Sequence, residues 1–173
     1  MKRNRLIVDG YNMIGSWPPL KRLKDQDQIE EARDLLLELL SNYAAYHNYE
    51  TWVIFDAMFV PGLSQTYDQY KLHVVYTAEK ETADAYIEAM MDEMVGVLRN
   101  VTVATSDLAE QRMVFQKGAL RKSANELWRD IQKTQLDISQ GDENYDPNAY
   151  QRMVPWSYQQ MRDLKSLLED LSK

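Results

Sequence analysis

The stretch "RLIVDGYNMIG", residues 5–15, places an acidic residue at the end of a short apolar strand. The apolar run 6–8 is continuous rather than alternating, which is typical of a strand buried on both faces of a parallel sheet. Asp9 ends this run, and Asn12 follows within the first loop after the strand. An acid and an amide in that loop serve either the hydrogen bonds of the turn itself or a ligand, and the rest of the chain bears on the choice.

Similar apolar runs recur along the chain, with helical patterns between them. Short strands separated by helices predict βαβ units, and therefore an α/β fold with an open, mostly parallel sheet and helices on both faces. The predicted strands are 5–9, 51–56, 72–77 and 101–105.

Capping residues predict where several helices begin. A capping box pairs a Ser, Thr or Asp with a Glu three residues later, so that each side chain bonds the other's backbone N–H. Residues 27/30 and 123/126 have this spacing. Helix starts are also expected at Thr82, near Asp107 and at Pro155.

The bulk composition narrows the class of protein. A length of 173 residues favours one domain, 1–173. The polar segment 137–154 is predicted to be an acidic exposed loop, followed by a C-terminal helix over 155–172. No apolar run reaches the ~20 residues of a membrane span, and no signal peptide is visible. The chain has no cysteine and two histidines, which excludes thiolate zinc sites, disfavours a His-rich metal site and fits a cytoplasmic protein.

The charge is unevenly distributed. The net charge of −7 argues against a generic nucleic-acid binder. However, 12 of the 20 Lys and Arg residues lie in 2–24 and 112–133. This clustering is consistent with a basic face on an acidic protein, and ordinary solvated helix faces remain the alternative.

Every predicted strand sends an acid to the same edge of the sheet, because the carboxyl ends of parallel strands meet there. Each acid alone has a structural explanation as a turn residue, a helix cap, a favourable charge at a helix N-terminus or an ion-pair partner. Together they repel one another unless cations or hydrogen bonds offset the charge. Mg²⁺ or Mn²⁺ suits an oxygen-only cluster. The acids are Asp9, Asp56, Glu81, Asp84 and Asp107.

Metal-assisted hydrolysis of a phosphodiester is the chemistry that such a cluster favours, because a bound ion lowers the pKa of its water and offsets phosphoryl charge. The sequence contains neither G-x-x-x-x-G-K-[ST] nor G-x-G-x-x-G, so no nucleotide cofactor is expected. It also lacks the G-x-S-x-G nucleophile elbow.

Five segments in order resemble the YacP-like branch of the NYN domain family: "VDGYNMIGSWP" (8–18), "VIFDA" (53–57), "ETADAYIE" (81–88), "ATSD" (104–107) and "GALRKSANEL" (118–127). NYN domains are related to the PIN nuclease fold. The resemblance implies strand order 3-2-1-4 with a further edge strand, and a Mg²⁺- or Mn²⁺-dependent endoribonuclease. It further implies a bacterial cytoplasmic protein acting in mRNA turnover, with RNA and the ribosome as expected partners.

The resemblance also implies roles for individual residues. Asp9, Asp84 and Asp107 would ligate the metal. Asn12 would orient a ligand or a metal-bound water, with Asp56 and Glu81 as auxiliary groups. RNA phosphates would meet basic side chains beside the site, and aromatic side chains of the first loop would stack on unpaired bases unless they are buried as loop anchors. These RNA-binding candidates are Lys117, Arg121, Lys122, Tyr11 and Trp17.

Two other functions remain open from the sequence. One is a non-catalytic RNA- or ribosome-binding module that keeps the fold. The other is an aspartate-based phosphotransferase or receiver-like domain, in which Asp56 and Ser106 would take two of the required roles. That second alternative also needs a lysine at the end of a late strand, and none is evident.

Overall fold

The computed structural model describes residues 3–57, 72–94, 96, 98–140 and 158–171. Five strands in this part of the chain form one sheet of order β3-β2-β1-β4-β5, and every neighbouring pair is parallel. The α/β fold class and the strand order are thus confirmed, and β5 is the further edge strand. The strands are β1 (Arg5–Asp9), β2 (Glu50–Phe55), β3 (His73–Tyr76), β4 (Val101–Ala104) and β5 (Leu120–Lys122).

Helices connect the strands and flank the sheet. In chain order they are α1 (Gly10–Ser16), α2 (Pro18–Asp25), α3 (Ile29–His47), α4 (Ala83–Glu93), α5 (Leu108–Lys117), α6 (Ala124–Ser139) and α7 (Tyr158–Leu171).

The two faces of the sheet carry separate apolar clusters, because successive side chains of a strand point to opposite faces. Leu6 and Val8 pack with residues of α1–α3, α6 and α7. Ile7, between them, belongs to the second cluster with α4 and α5, which includes Ile87 and Val114. The apolar runs of β1, β2 and β4 therefore correspond to largely buried strands, as predicted. The prediction is wrong for β3, an edge strand whose residues are half-buried or exposed.

The segment between β1 and α3 differs from the predicted loop, because it contains two short helices, α1 and α2. Asp9 is the N-cap of α1, and a proline opens α2 directly after Trp17. Proline suits the first turn of a helix, where its missing N–H is not needed. The glycines, asparagine and prolines of this segment have low helix propensity and conceal the helices from pattern reading.

The predicted caps have mixed outcomes. Thr82 and Asp107 cap α4 and α5, and Ser123 forms a complete capping box with Glu126 at α6. The predicted box at 27/30 is wrong. The chain at Asp27 is left-handed, with φ of 57°, and α3 begins at Ile29 without a side-chain cap bond.

The segment predicted as an acidic loop begins inside a helix, because α6 extends to Ser139. Residues 141–154 lie outside the described residues, as does the predicted helix start at Pro155. A helix over Tyr158–Leu171 falls within the predicted 155–172, and Leu164 and Leu168 bury its inner face. Among the described helices, none is both long and apolar enough to cross a bilayer.

The strand order reverses between β1 and β4, since β2 lies on one side of β1 and β4 on the other. Open α/β sheets bind ligands in the crevice at such a switch point, beyond the carboxyl ends of the strands. β1 ends there in Asp9, and β4 leads there into Ser106.

Candidate metal centre

Three carboxylates meet at this crevice. Asp9, Asp84 and Glu110 each offer an oxygen, and these oxygens all lie within 4.8 Å of one another. Asp9 and Glu110 are buried, whereas Asp84 is exposed and opens the cluster to solvent. In the described part of the chain, no basic side chain forms an ion pair with any of the three. The cluster therefore consists of two buried carboxyl groups and one that is open to solvent.

Asp9 is held at the junction of β1 and α1. One of its carboxylate oxygens accepts a hydrogen bond from the backbone N–H of Asn12 at 3.4 Å, and the other accepts a short bond from the Asn12 amide. Gly10 allows this tight junction because Phe55 of β2 lies against it. A Cβ at position 10 would come within 2.4 Å of the Phe55 ring.

Asn12 links the two strands that border the crevice. Its amide nitrogen donates to Asp9, and its amide oxygen accepts a short hydrogen bond from the hydroxyl of Ser106, beyond β4. Both ends of the amide are thus occupied, which fixes the orientation of the Asp9 carboxylate. In the structure, Asn12 thus orients the Asp9 carboxylate of the cluster.

Asp84 enters from the helix after β3. It is the second residue of α4, whose N-cap Thr82 accepts a hydrogen bond from the backbone N–H of Ala85 at 3.1 Å. The first turn of a helix favours a negative charge, because its backbone N–H groups are unpaired and the helix dipole is positive there. This partly offsets the repulsion from the other two carboxylates.

Glu110 enters from the first turn of α5 and completes the cluster. It stands three residues after the cap Asp107, the position of the glutamate in a capping box. Here, however, the backbone N–H of Asp107 donates to the hydroxyl of Thr105 at 3.1 Å. The Glu110 carboxylate is not needed at the cap and turns inward, where it is 3% exposed. Neither of its oxygens has a hydrogen-bond partner of normal geometry among the described residues.

The environment favours the protonated forms of both buried acids. Burial raises the pKa of Asp9 to about 6. The hydrogen bonds from Asn12 lower this pKa, and the charges of Asp84 and Asp56 raise it by smaller amounts. Burial likewise raises the pKa of Glu110 far above its usual range, and the neighbouring carboxylates raise it further. A buried ionised carboxylate is costly, and a bound cation would favour the ionised forms of both acids.

The other acids from the sequence prediction lie outside the triad. Asp107 is exposed, and one of its oxygens accepts from the backbone N–H groups of Ala109 and Glu110 at the start of α5. Glu110 thus takes the place that was expected for Asp107. Glu81 bonds the backbone of its own turn. Asp56 is half-buried, and its charge reaches Asp9.

The sequence held one signal that could have identified Glu110. It precedes Val114, a buried residue of α5, by four positions, so the two share a helix face. A glutamate on the buried face of a helix needs a partner. The spacing from Asp107 to Glu110 is that of a capping box, which offers a second explanation for the glutamate, but the structure shows that the Thr105 hydroxyl takes the Asp107 N–H instead.

The two aromatic candidates are anchored within the fold. Trp17 is completely buried, and its indole N–H donates to the carbonyl of Ala124 at 2.9 Å. The prediction that Trp17 stacks on bases is therefore wrong, because neither face of its ring is exposed to solvent. Tyr11 is half-buried, with its ring edge on Phe55 and its hydroxyl bonded to Arg33.

The basic candidates differ in how far their charge is compensated. Lys117 pairs with Asp92 at 2.6 Å and lies 3.7 Å from Glu88, and Lys122 pairs with Asp130. Arg121 is exposed and donates to the side-chain oxygen of Gln111. It forms no ion pair with a described residue.

Lys122 also corrects one step of the sequence reasoning, because it is the last residue of β5. A lysine at a late strand end therefore exists after all. Its ammonium group pairs with Asp130 of α6 rather than with an acid of the crevice. The receiver-like alternative consequently gains no support from it.

The residues of the triad fit a divalent cation. The three groups supply only carboxylate oxygens, the ligands preferred by Mg²⁺ and Mn²⁺. The Glu110 carboxyl is buried beside Asp9 and Asp84, so its ionised form is costly, and a bound cation would offset that cost. Helix N-termini and a strand end place all three groups on rigid elements.

Comparisons with known proteins agree with this fold. The sequence model of the YacP-like NYN domain matches residues 6–169. The relative described as uncharacterized protein YacP of Bacillus subtilis (strain 168) is 44% identical over 133 residues, which cover 77% of this chain and 78% of the relative.

Two solved structures are also similar. The crystal structure of Rae1 (YacP) from Bacillus subtilis matches with a TM-score of 0.69 and 43% identity, covering 79% of this chain and 78% of that one. A mutant of the same protein matches with a TM-score of 0.69 and 34% identity, covering 95% and 99% of the two chains.

Proposed function

The chain belongs to the YacP-like NYN domain family, and on this premise we propose that it is an endoribonuclease that uses Mg²⁺ or Mn²⁺ to hydrolyse RNA phosphodiester bonds. The observation that carries the proposal is the triad of Asp9, Asp84 and Glu110 at the switch point of the sheet. Two of its acids are buried at a cost that a bound cation would offset. Asp107 would act on this site through the start of α5 rather than as a ligand.

Each residue of the site would have a distinct role in the reaction. A divalent ion at such a site supplies an activated water and offsets charge on the phosphoryl oxygens. Asp9 and Glu110 would hold the ion from the buried side, and the exposed Asp84 would hold it from the side on which RNA arrives. Asn12 would keep the Asp9 carboxylate in one orientation through its bond to Ser106.

The biological setting proposed here is mRNA turnover in a bacterial cytoplasm, with the ribosome as a candidate partner. Support for this setting comes from the resemblance to the YacP-like family.

Cleavage of RNA by the purified protein tests the proposal. Wild type is incubated with single-stranded RNA and Mn²⁺ or Mg²⁺, with and without ribosomes, beside Asp84→Asn. This variant is informative because Asp84 is exposed and its loss leaves the packing intact. Asp25→Asn, at an exposed carboxylate of α2, is the matched control.

We expect cleavage by wild type and by the control, and loss of cleavage in Asp84→Asn and in EDTA. Absence of cleavage under every condition, with RNA or ribosome binding retained, would instead establish the non-catalytic module. Equal cleavage by Asp84→Asn and wild type would show that the activity does not use this site.

A further inference from the structure

The outer face of α5 carries an open pocket of about 330 Å³ that the triad does not use. Its lining comes from five residues of α5 and one residue of β5. The helical spacings i, i+3, i+4, i+7 and i+8 place the α5 residues on one face. The lining residues are Leu108, Gln111, Arg112, Phe115, Gln116 and Arg121.

Two large apolar side chains of this face are unusually open to solvent. Leu108 is 68% exposed and Phe115 is 71% exposed. Both side chains line the same pocket, together with polar groups, and are not isolated apolar residues on a polar surface. An exposed aromatic ring at a pocket offers a stacking surface that the fold itself does not use.

The charge of the pocket is positive, in contrast to the acidic chain around it. Arg112 and Arg121 line it, and neither guanidinium forms an ion pair within the described ranges. The lysines nearby, Lys117 and Lys122, are both paired with acids. The two arginines are therefore the cations that this surface leaves for a bound anion.

Gln111 connects the pocket to the catalytic crevice. Its amide nitrogen donates to the carbonyl of Thr105 at 2.9 Å, at the end of β4. Its amide oxygen accepts from Arg121 at 2.8 Å, which holds that guanidinium against the pocket. The same helix carries Glu110 on its inner face, about 7.5 Å along the axis from Phe115 at 1.5 Å per residue.

We infer that this pocket is a subsite for single-stranded RNA, in which Phe115 and Leu108 contact an unpaired nucleobase and Arg112 and Arg121 bind the adjacent phosphates. Aromatic rings beside cations are the common means of binding single strands without sequence preference. The volume lies at the small end of ligand pockets and suits one nucleoside-sized group. The inference rests on the proposed function, since it extends the RNA path away from the triad.

The subsite is tested by RNA binding without catalysis. Fluorescence anisotropy of a short labelled single-stranded RNA in EDTA is measured for wild type, Phe115→Ala and Arg112→Gln. The matched controls are Leu136→Ala and Arg129→Gln, which alter an exposed apolar residue and an exposed arginine of α6. A duplex RNA of the same sequence is the second ligand.

Phe115→Ala should weaken single-strand binding by roughly fivefold to a hundredfold, the range for one stacked base, with duplex binding unchanged. Arg112→Gln should lower the slope of log affinity against log salt by about 0.7, as expected for one phosphate contact on a single strand. The α6 controls should bind RNA as wild type does.

The outcomes separate the subsite from the nuclease activity. If wild type cleaves RNA but Phe115→Ala binds and cleaves it equally well, the subsite is overturned and the nuclease stands. If Phe115→Ala loses binding while wild type never cleaves, the subsite stands and the nuclease falls. If Phe115→Ala binds free RNA normally but no longer sediments with ribosomes, the surface binds the ribosome rather than a free single strand and the inference is wrong.

Discussion

The substitution Asp9→Asn tests the electrostatics of the site in the metal-free protein. It removes one negative charge from a buried position and keeps the size and shape of the side chain. The amide can still accept a hydrogen bond from the backbone N–H that caps α1. It no longer accepts from the Asn12 amide in the present orientation, which costs about 1 kcal/mol at every pH.

The magnitude follows from the pKa of Asp9, which burial raises from 3.8 to about 6. Because the pKa is higher in the folded state, the folded protein binds more protons, and stability falls as pH rises from 3.8 through 6. The loss from this group is about 1 kcal/mol at pH 4.5 and about 3 kcal/mol at pH 7.5. Asp9→Asn abolishes it, so its stability relative to wild type should improve by about 2 kcal/mol between these two pH values.

The assay is thermal unfolding in EDTA at both pH values. For a chain of this size, about 2 kcal/mol corresponds to a relative gain of about 4–8 °C in Tm. Asp25→Asn, which removes an exposed charge on α2, should show a much smaller change between the two pH values. Comparing each variant with wild type at the same pH cancels the titration of carboxylates far from Asp9. Removing the Asp9 charge also lowers the pKa of Glu110, which changes the relative stability in the same direction.

Saturating Mn²⁺ should then reverse the order, by stabilising wild type and leaving Asp9→Asn unchanged. The reasoning is refuted if the stability difference between the two proteins is the same at pH 4.5 and pH 7.5. That result would mean that ionising Asp9 does not lower the stability of the folded protein, and hence that a bound cation would have no such loss to offset.

Three further predictions concern neighbouring groups. Mn²⁺ at about 100 times its Kd should stabilise wild type by about 2.7 kcal/mol, as measured by calorimetry. Asp107→Asn should retain this stabilisation, because asparagine caps a helix as well as aspartate does. Glu110→Gln should lose it. A retained gain in Glu110→Gln would exclude that residue as a ligand. Asn12→Ala should lower kcat by roughly 10- to 100-fold while the protein stays folded, since it removes only the group that orients a ligand; an unchanged kcat would contradict this role. Gly10→Ala should lower the free energy of unfolding by about 1–3 kcal/mol in urea titration, because its Cβ would collide with Phe55, and an unchanged midpoint would show that the ring moves aside freely.

The sequence determined the fold class, because its strands are continuous apolar runs that only a sheet covered on both faces can bury. It also determined the edge at which the site would lie, because parallel strands bring their carboxyl ends together. Asp9 and Asp84 could be assigned to that edge without coordinates, and three helix caps could be located because capping depends on neighbours in sequence.

The tertiary structure decided which acids actually meet. Asp107 was expected at the site because it follows the fourth strand, whereas Glu110 lies three residues later, within the helix. Only the packing of α5 beside β1 and α4 shows that Glu110, and not Asp107, lies with Asp9 and Asp84. Trp17 shows the same limit, since only its packing against α6 reveals that the ring is buried.

Residues 5–15 illustrate the division between the two sources. Local chemistry determines that β1 ends in an acid and that this acid, Asp9, caps α1. The role of Asp9 in the cluster depends on Ser106 and Glu110, which lie roughly a hundred positions away in sequence. They come close to Asp9 only when β4 pairs with β1. Local bonds are encoded by neighbouring residues, whereas the sharing of charge across a sheet edge is set by strand order and by which side chains the core leaves free.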